Sequence, residues 1–265
     1  MKEITLGQYY PSGSLIHRLD PRVKLLATLV YIISLFICPK WQGLFISAIW
    51  LVTIIRISKV PFLYIARQLK VIIVLLAISS AFNLFLTSGE VLVQLGRLTI
   101  TREGILRTIL IALRLVMLVM GTSLMTFTAT PNELTDGMET GLRFLKKIRV
   151  PVHEVAMMMS IALRFIPILV EEADKIMKAQ KARGADFESG NILRKAKNLI
   201  PLLVPLVVAA FRRADDLATA MDARCYHGGE GRTKLHPLHY TRADRIAYVI
   251  LFAYLAVIIL IRIFL

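Results

Sequence analysis

The chain has 265 residues, of which 56% are hydrophobic and only 19% are charged, and Lys plus Arg exceed Asp plus Glu by 15. A soluble domain usually has about 25% charged residues, so this composition argues against one. It also disfavours a nucleic-acid-binding protein, whose positive charge would lie on a polar surface. The two cysteines exclude a disulfide scaffold. The composition favours an integral membrane protein whose excess basic residues lie in the cytoplasm.

Five uncharged stretches indicate membrane-spanning helices. A bilayer core of about 30 Å needs about 20 apolar helical residues, and the shorter stretches reach this length with flanking Lys or Arg side chains that extend to the interface. No signal peptide is evident before the first stretch, so we expect it to stay in the protein. The predicted spans are about 23–39, 41–57, 70–89, 104–129 and 243–265.

The charges of the loops predict the orientation. Residues 1–24 and 56–70 each carry four Lys or Arg, whereas the 88–103 loop has two arginines balanced by two glutamates. We therefore expect a multi-pass protein of the plasma membrane with a cytoplasmic N-terminus. Residues 1–130 form its N-terminal membrane domain, residues 131–242 form a cytoplasmic domain, and the C-terminus lies outside.

The cytoplasmic segment is predicted to be helical. Thr130 and Glu133 form a capping box around Pro131, which begins a helix. Pro151 begins a second helix, which is expected to kink at Pro167. The predicted helices are about 131–147, 151–183 and 199–225. The fold class is therefore an all-α membrane protein with about five transmembrane helices and about three cytoplasmic helices.

The two long cytoplasmic helices end in a repeated sequence. Residues 172–184 align with residues 213–225 at an offset of 41, and five of 13 positions are identical. Each copy ends in Ala, Arg and a small residue, namely Ala182-Arg183-Gly184 and Ala223-Arg224-Cys225. Such an arginine can simply interact with the helix dipole, which contributes about 0.3–1 kcal/mol. It can also bind an acidic groove of a partner, and two equivalent ends favour this interpretation and a dimeric or pseudo-dimeric partner.

Three further segments accompany the two arginine tripeptides, namely 14–24, 128–134 and 162–167. Together they resemble the transmembrane T component of energy-coupling-factor (ECF) transporters, a branch of the ABC-type importers, over most of the chain. The paired tripeptides after Pro167 are the most specific feature. The second tripeptide departs from the family's pattern, because Cys225 stands where glycine or serine is commoner. A cysteine is small enough for docking, although its backbone is less free to be left-handed.

The resemblance implies a non-catalytic subunit that couples two ABC ATPase subunits, expected to be a heterodimer, to a small membrane-embedded S component. The S component would capture a vitamin or a transition-metal ion. The two arginine tripeptides would dock on the ATPases, one on each. This chain would bind no cofactor, since ATP and Mg²⁺ would be held by the ATPases, and the sequence has no phosphate-binding G-x-x-x-x-G-K-[ST] loop of its own.

Two other groups of residues are candidates for function. Met157, Met158 and Met159, with Arg164 and Pro167 on the same helix, are candidate contacts for the S component, because methionine surfaces repack easily. The methionines can equally fill an ordinary core. Arg107 and Arg114 share one face of the fourth span, where they are either intramembrane charges that face protein or members of an interfacial stretch.

Alternative functions have weaker support. Cys225, His227, His236 and His239 match no standard zinc spacing, so we predict no metal site. A metal-dependent lipid or prenyl transferase is an alternative in which Asp215, Asp216 and Asp222 would bind Mg²⁺. However, no carboxylate follows Asp215-Asp216 at the fifth position of an aspartate-rich prenyl motif. A conventional ABC permease is suggested by Glu172-Ala173-Asp174, but Lys178 stands where that coupling motif needs glycine.

Overall fold

The computed structural model describes residues 9–37, 40–95, 98–187, 191, 197–229 and 237–264. The described residues form two compact units. The first contains Gly7–Gly141 and Leu238–Leu265, and the second contains Leu142–Pro237. In chain order the elements are α1 (Pro21–Ile37), α2 (Trp41–Ser58), α3 (Phe62–Leu86), β1 (Val91–Leu95), β2 (Leu98–Thr101), α4 (Arg102–Thr128), α5 (Pro131–Gly141), a 3₁₀ helix (Arg143–Ile148), α6 (Val152–Ala182), α7 (Ile200–Ala223) and α8 (Arg242–Phe264).

Several of these helices are long enough to cross a bilayer. By length and composition α2, α4, α6 and α8 qualify, and α3 is a fifth if its two halves, which meet at 61°, form one span. This helical architecture confirms the predicted all-α membrane fold class. The candidates differ from the predicted spans in two helices. α1 corresponds to the predicted span 23–39 but has only 17 described residues, so it is not among the candidates. α6 is long and apolar enough to cross a bilayer, although its segment is predicted to be cytoplasmic. Apolar content alone does not separate a span from a helix that packs on protein.

The first unit is a helix bundle with one continuous apolar core. Side chains from α1, α2, α4 and α8 meet there, and the largest fully buried ones include Leu35, Leu44 and Ile258. Gly121 of α4 lies against the ring of Tyr31, where a Cβ atom would collide with the ring. The bundle thus depends on close packing between α1 and α4.

A polar cluster lies inside this core. The Tyr254 hydroxyl of α8 is 2.7 Å from the Ser34 hydroxyl of α1 and 2.9 Å from the Ser47 hydroxyl of α2. Trp50 stacks on the Tyr254 ring at 4.6 Å between centroids. These hydrogen bonds join three helices where few other polar partners are available.

Hydrogen bonds of the 14–24 segment connect the ends of several helices. The buried Lys24 ammonium donates to the carbonyls of His17 and Thr128, both at 2.8 Å. The buried Asp244 carboxylate at the start of α8 accepts from the backbone N–H of Asp20 at 2.8 Å. The start of α1, the end of α4 and the start of α8 therefore lie at one end of the bundle.

A β-hairpin replaces the loop expected at 88–103. β1 and β2 pair antiparallel, with Val93 opposite Ile100 and an irregularity between Val91 and Val93. The hairpin leads into α4, where the Thr101 hydroxyl caps the helix by accepting from the Gly104 N–H at 3.0 Å. The alternating Val and Thr residues on either side of Gly96 are a strand signal, which the charge of the loop does not reveal.

The helix predicted at 131–147 is shorter than expected. The capping box is confirmed, because the Thr130 N–H donates to the Glu133 carboxylate and the Glu133 N–H to the Thr130 hydroxyl, each at 3.3 Å. The α-helix ends at Gly141, and the chain continues as the 3₁₀ helix Arg143–Ile148. Gly141 weakens the α-helix at its end, because a glycine gains more backbone freedom than other residues when it leaves a helix.

Candidate functional site

The two long helices of the second unit, α6 and α7, pack side by side and run antiparallel. At one end Gln180 donates to the carbonyl of Pro201 at 3.4 Å. Farther along, Arg213 of α7 forms an ion pair with Glu172 of α6 at 2.8 Å. The residue numbers rise on one helix as they fall on the other, so the C-terminal ends of α6 and α7 lie at opposite ends of the pair.

The contact between these helices is apolar and borders an open groove. Residues at four-residue spacing on α6 face alanines at the same spacing on α7, the pattern that gives the commonest class of helix crossing. The groove has a volume of about 290 Å³. Its lining includes Ile161, Phe165, Leu169, Ala210, Ala214 and Ala218.

The first arginine tripeptide forms the end of α6. Ala182 is the last helical residue, Arg183 is the C-cap, and Gly184 has a left-handed backbone with φ of +87°. The Gly184 N–H donates to the Lys181 carbonyl at 3.0 Å, and the Ala185 N–H donates to the Gln180 carbonyl at 2.9 Å. These two bonds define a Schellman motif, which satisfies carbonyls that a helix end leaves open.

The second tripeptide repeats this geometry at the end of α7. Arg224 is the C-cap, and Cys225 adopts the left-handed conformation with φ of +55°. The Cys225 N–H donates to the Asp222 carbonyl at 2.9 Å, and the Tyr226 N–H donates to the Met221 carbonyl at 3.1 Å. Cysteine therefore adopts the conformation that glycine adopts in the first copy, although a side chain makes that conformation costly.

Both ends are open to a partner. All six tripeptide residues are exposed. Arg224 lines a cavity together with Arg164 of α6, and Arg164 precedes Arg183 by 19 residues on the same helix. Because Arg164 lies beside Arg224 and an α-helix rises by about 1.5 Å per residue, the two arginine ends are about 30 Å apart along the helix pair.

The cavity beside Arg224 brings together residues that the sequence does not link. It has a volume of about 700 Å³ and lies between the first half of α6 and the loop after α7. Met157 and Arg164 line it together with Arg224 and Cys225 of the second tripeptide. Tyr226, His227 and Phe165 also line it, and no spacing signal in the sequence identifies them as members of the same site.

The remaining candidates on α6 are exposed. Met158 and Met159 are 58% and 48% accessible, so they do not fill a core between the described residues, whereas Met157 is half-buried. Pro167 is also exposed and lies inside one continuous helix. The proline removes one backbone donor from α6, and the kink predicted there remains a prediction.

Arg114 lies well inside α4. The helix begins at Arg102, so Arg114 is about 18 Å along it. It is half-buried, and its guanidinium carbon is 5.8 Å from the centroid of the Phe36 ring of α1. Arg107 is exposed. Of the two arginines, Arg114 is thus the one that faces protein within the bundle.

No metal centre is found among the described residues. No group of three His, Cys, Asp or Glu side chains within them lies close enough together to hold an ion. His236, one of the residues considered in the sequence, lies outside the described residues. Asp215, Asp216 and Asp222 are all exposed on α7.

Comparisons with known proteins identify the family of this chain. The family described as CbiQ, cobalt transport protein, matches residues 12–235. Three relatives carry the description "energy-coupling factor transporter transmembrane protein EcfT". One from Clostridium kluyveri is 51% identical and aligns with 99% of this chain and 98% of its own length. Another, from Thermosediminibacter oceani, is 49% identical over 94% of both chains, and a third, from Bacillus subtilis, is 43% identical over 99% of both.

These relatives are named as transmembrane components of transporters, which is a non-catalytic role. The matches extend over almost the entire chain, including both arginine ends. The chain therefore belongs to the family of transmembrane T components of energy-coupling-factor transporters.

Proposed function

We propose that this T component couples two ABC ATPase subunits to a small membrane-embedded S component, and so powers the import of a vitamin or another micronutrient. The observation that carries the proposal is the pair of matching helix ends. Arg183 and Arg224 occupy the same C-cap position in two Schellman motifs and are exposed at opposite ends of one antiparallel helix pair.

The chemistry of these ends suits an acidic groove on each ATPase. An arginine presents a planar fork of donors that matches a carboxylate in two hydrogen bonds. The flanking residues are small, so a groove can close around the guanidinium without meeting bulky neighbours. Because the third residue differs, Gly184 in one end and Cys225 in the other, two non-identical ATPases fit the chain better than two identical ones.

The packing of α6 on α7 supports a role in transmitting motion. The two helices meet through rows of apolar and alanine side chains along an open groove of about 290 Å³. Packed helices can slide or rotate by small amounts without unfolding. We expect the ATPases, when they bind ATP and Mg²⁺ and close, to displace the two arginine ends relative to each other.

The exposed residues of α6 are the candidates for contact with the S component. Met158 and Met159 are exposed apolar side chains near Arg164. With Met157 and Pro167 they would contact the S component, which reorients and releases its substrate inside the cell. A methionine surface can adapt to more than one partner, which suits a component that serves several S components.

The orientation belongs to this proposal. The start of α1, the end of α4 and the start of α8 lie at one end of the bundle, through the contacts of Lys24 and Asp244. The basic excess of residues 1–24 assigns that end to the cytoplasm. The segment after α4 is then cytoplasmic as well, and α8 carries the C-terminus outside.

The test is a double substitution, Arg183→Ala with Arg224→Ala, in the tagged full-length chain expressed with its ATPases and S component. We expect the variant to insert into the membrane in normal amounts, to lose the ATPases on purification in mild detergent, and to lose ATP-dependent uptake. Each single substitution should weaken the retention of one ATPase subunit more than that of the other.

A matched control removes two exposed cations from the same helices away from their ends, Lys175→Ala with Arg212→Ala. This control should retain both ATPases and uptake. Normal uptake in the Arg183/Arg224 double variant would refute the docking role, and so would equal loss of the ATPases in the control.

A further inference from the structure

The segment 142–150, which we call the basic connector, is the first part of the second unit and combines exposed cations with exposed apolar side chains. It follows α5 directly and contains the 3₁₀ helix, none of whose residues is buried. Phe144 is 62% and Ile148 is 71% accessible. Two large apolar side chains that are exposed within one short segment indicate an interaction site.

The charge of the basic connector has one sign. Four cations occur within residues 143–149, and no acid occurs from 142 to 152. Residues three apart lie on the same edge of a 3₁₀ helix, so Arg143 and Lys146 share an edge, and Arg149 follows at the C-cap. Among the described residues none of these cations has an ion-pair partner, so their charge is available to an outside partner.

The fold of the first unit brings the start of the basic connector to one end of the bundle. α5 packs on the first two turns of α1, because a Cβ atom at Gly137 would be 2.8 Å from the Pro21 Cβ and 3.2 Å from Leu25. Lys24 of α1 also lies 3.9 Å from Glu133 of α5. Leu142 is the next residue after α5, so the connector begins beside the end of the bundle at which α1 begins.

We infer that the basic connector is an interfacial anchor that binds anionic phospholipid. Its cations contact lipid phosphates, and Phe144 and Ile148 insert at the boundary between headgroups and acyl chains. The cytoplasmic leaflet is rich in anionic lipid and attracts basic segments next to the membrane. The inference rests on the cytoplasmic orientation proposed above.

The experiment measures how close the basic connector lies to lipid. A fluorescent NBD probe is placed at Ile148→Cys in a full-length chain whose own thiols are removed by Cys38→Ser and Cys225→Gly. The chain is reconstituted in nanodiscs of phosphatidylcholine alone or of equal parts phosphatidylcholine and phosphatidylglycerol, with and without brominated acyl chains that quench the probe. Nanodiscs present the same lipids on both faces, so the result does not depend on orientation or on the ATPases.

We expect strong quenching in the anionic nanodiscs and weaker quenching at high salt or in phosphatidylcholine alone. Each cation near an anionic surface strengthens attachment about five-fold. Neutralising all four, by Arg143→Gln, Lys146→Gln, Lys147→Gln and Arg149→Gln, should lower the ratio of inserted to free connector by roughly 600-fold and abolish most of the quenching.

The matched control neutralises four exposed cations of the same unit outside the basic connector, namely Lys175, Lys178, Lys197 and Arg212, and should retain the quenching. The inference is overturned if the probe is not quenched in anionic nanodiscs, or if quenching is equal in phosphatidylcholine and after neutralisation. It is also overturned if the probe is shielded only when the ATPases or the S component are added, since the surface would then bind protein. Loss of uptake in the Arg183/Arg224 double variant is independent of all these outcomes.

Discussion

Arg213 donates to Glu172 at 2.8 Å, and these two residues occupy the same position in the two copies of the repeat. Each lies 11 residues before the arginine at the end of its own helix. An ion pair between corresponding positions of two antiparallel copies lies at the centre of the pair. The two arginine ends are therefore equally far from this contact, about 16 Å along each helix.

The central ion pair predicts a coupling that can be measured. Both side chains are about one-third exposed, at 30% and 29%, so Glu172→Ala should lower the free energy of unfolding by at most about 1 kcal/mol. The reversed pair, Glu172→Arg with Arg213→Glu, should recover part of this loss, because the contact is kept with its charges exchanged. Thermal unfolding in detergent of the wild type, both alanine variants and their double variant gives the coupling energy.

Glu171→Ala is the matched control, because Glu171 is the exposed neighbour of Glu172 and forms no ion pair among the described residues. It should leave stability unchanged. Strictly additive effects of the Glu172 and Arg213 alanine substitutions would show that the contact does not hold the helices together.

The left-handed backbone of Cys225 predicts that glycine is the better residue there. A side chain in this conformation costs about 1–2 kcal/mol, so Cys225→Gly should stabilise the folded chain and keep both ATPases bound. Cys225→Val should destabilise it, because a β-branched residue fits this conformation worse than cysteine. The measurements are thermal unfolding in detergent and retention of the ATPases on purification.

Gly184→Ala is the comparison at the other end. No atom lies within 4 Å of a Cβ atom built there, and φ is +87°, so its expected loss of about 1 kcal/mol would come from backbone strain alone. If Cys225→Gly and Gly184→Ala shifted stability in the same direction, backbone strain would not account for either change.

Two glycines of α5 predict opposite outcomes for the same substitution. Gly137→Ala places a Cβ atom 2.8 Å from the Pro21 Cβ, so α5 must move away from α1 at a cost of about 1–3 kcal/mol. Gly141→Ala meets no atom within 4 Å, and alanine favours a helix over glycine by about 0.5–1 kcal/mol. Folded yield in detergent and the unfolding midpoint should fall for the first variant and hold or rise for the second.

This comparison tests the packing of α5 on the bundle, on which the position of the basic connector depends. An equal response of the two variants would show that α5 does not pack closely on α1. It would also remove the argument that brings Leu142 to the end of the bundle, while leaving the exposure of Phe144 and Ile148 unaffected.

Much of the fold is predictable because local rules decide it. The apolar stretches predict membrane helices, Thr130 and Glu133 predict a capping box, and the two arginine tripeptides predict helix ends that the structure places at Ala182 and Ala223. These features depend on residues near each other in the chain. The hairpin at 91–101 also has a local signal, but a charge count does not detect it.

Other features need contacts between distant residues. Lys24 looks like one more basic residue at the start of a span, yet it is buried and bonded to Thr128. Tyr254 looks like an ordinary residue of an apolar helix, yet it joins hydroxyls on two other helices. No local pattern identifies either contact, because each partner lies 100 residues or more away in the chain.

The sequence by itself determines that this chain is a helical membrane protein with a repeat ending in two arginines, because composition, periodicity and capping are properties of neighbouring residues. Only the tertiary structure decides how the repeat is used. It pairs Glu172 with Arg213, runs α6 and α7 antiparallel and turns Arg183 and Arg224 outward at opposite ends. The physical reason is that side-chain packing between helices sets their direction and spacing, and the same two helix ends in a parallel pair would lie side by side.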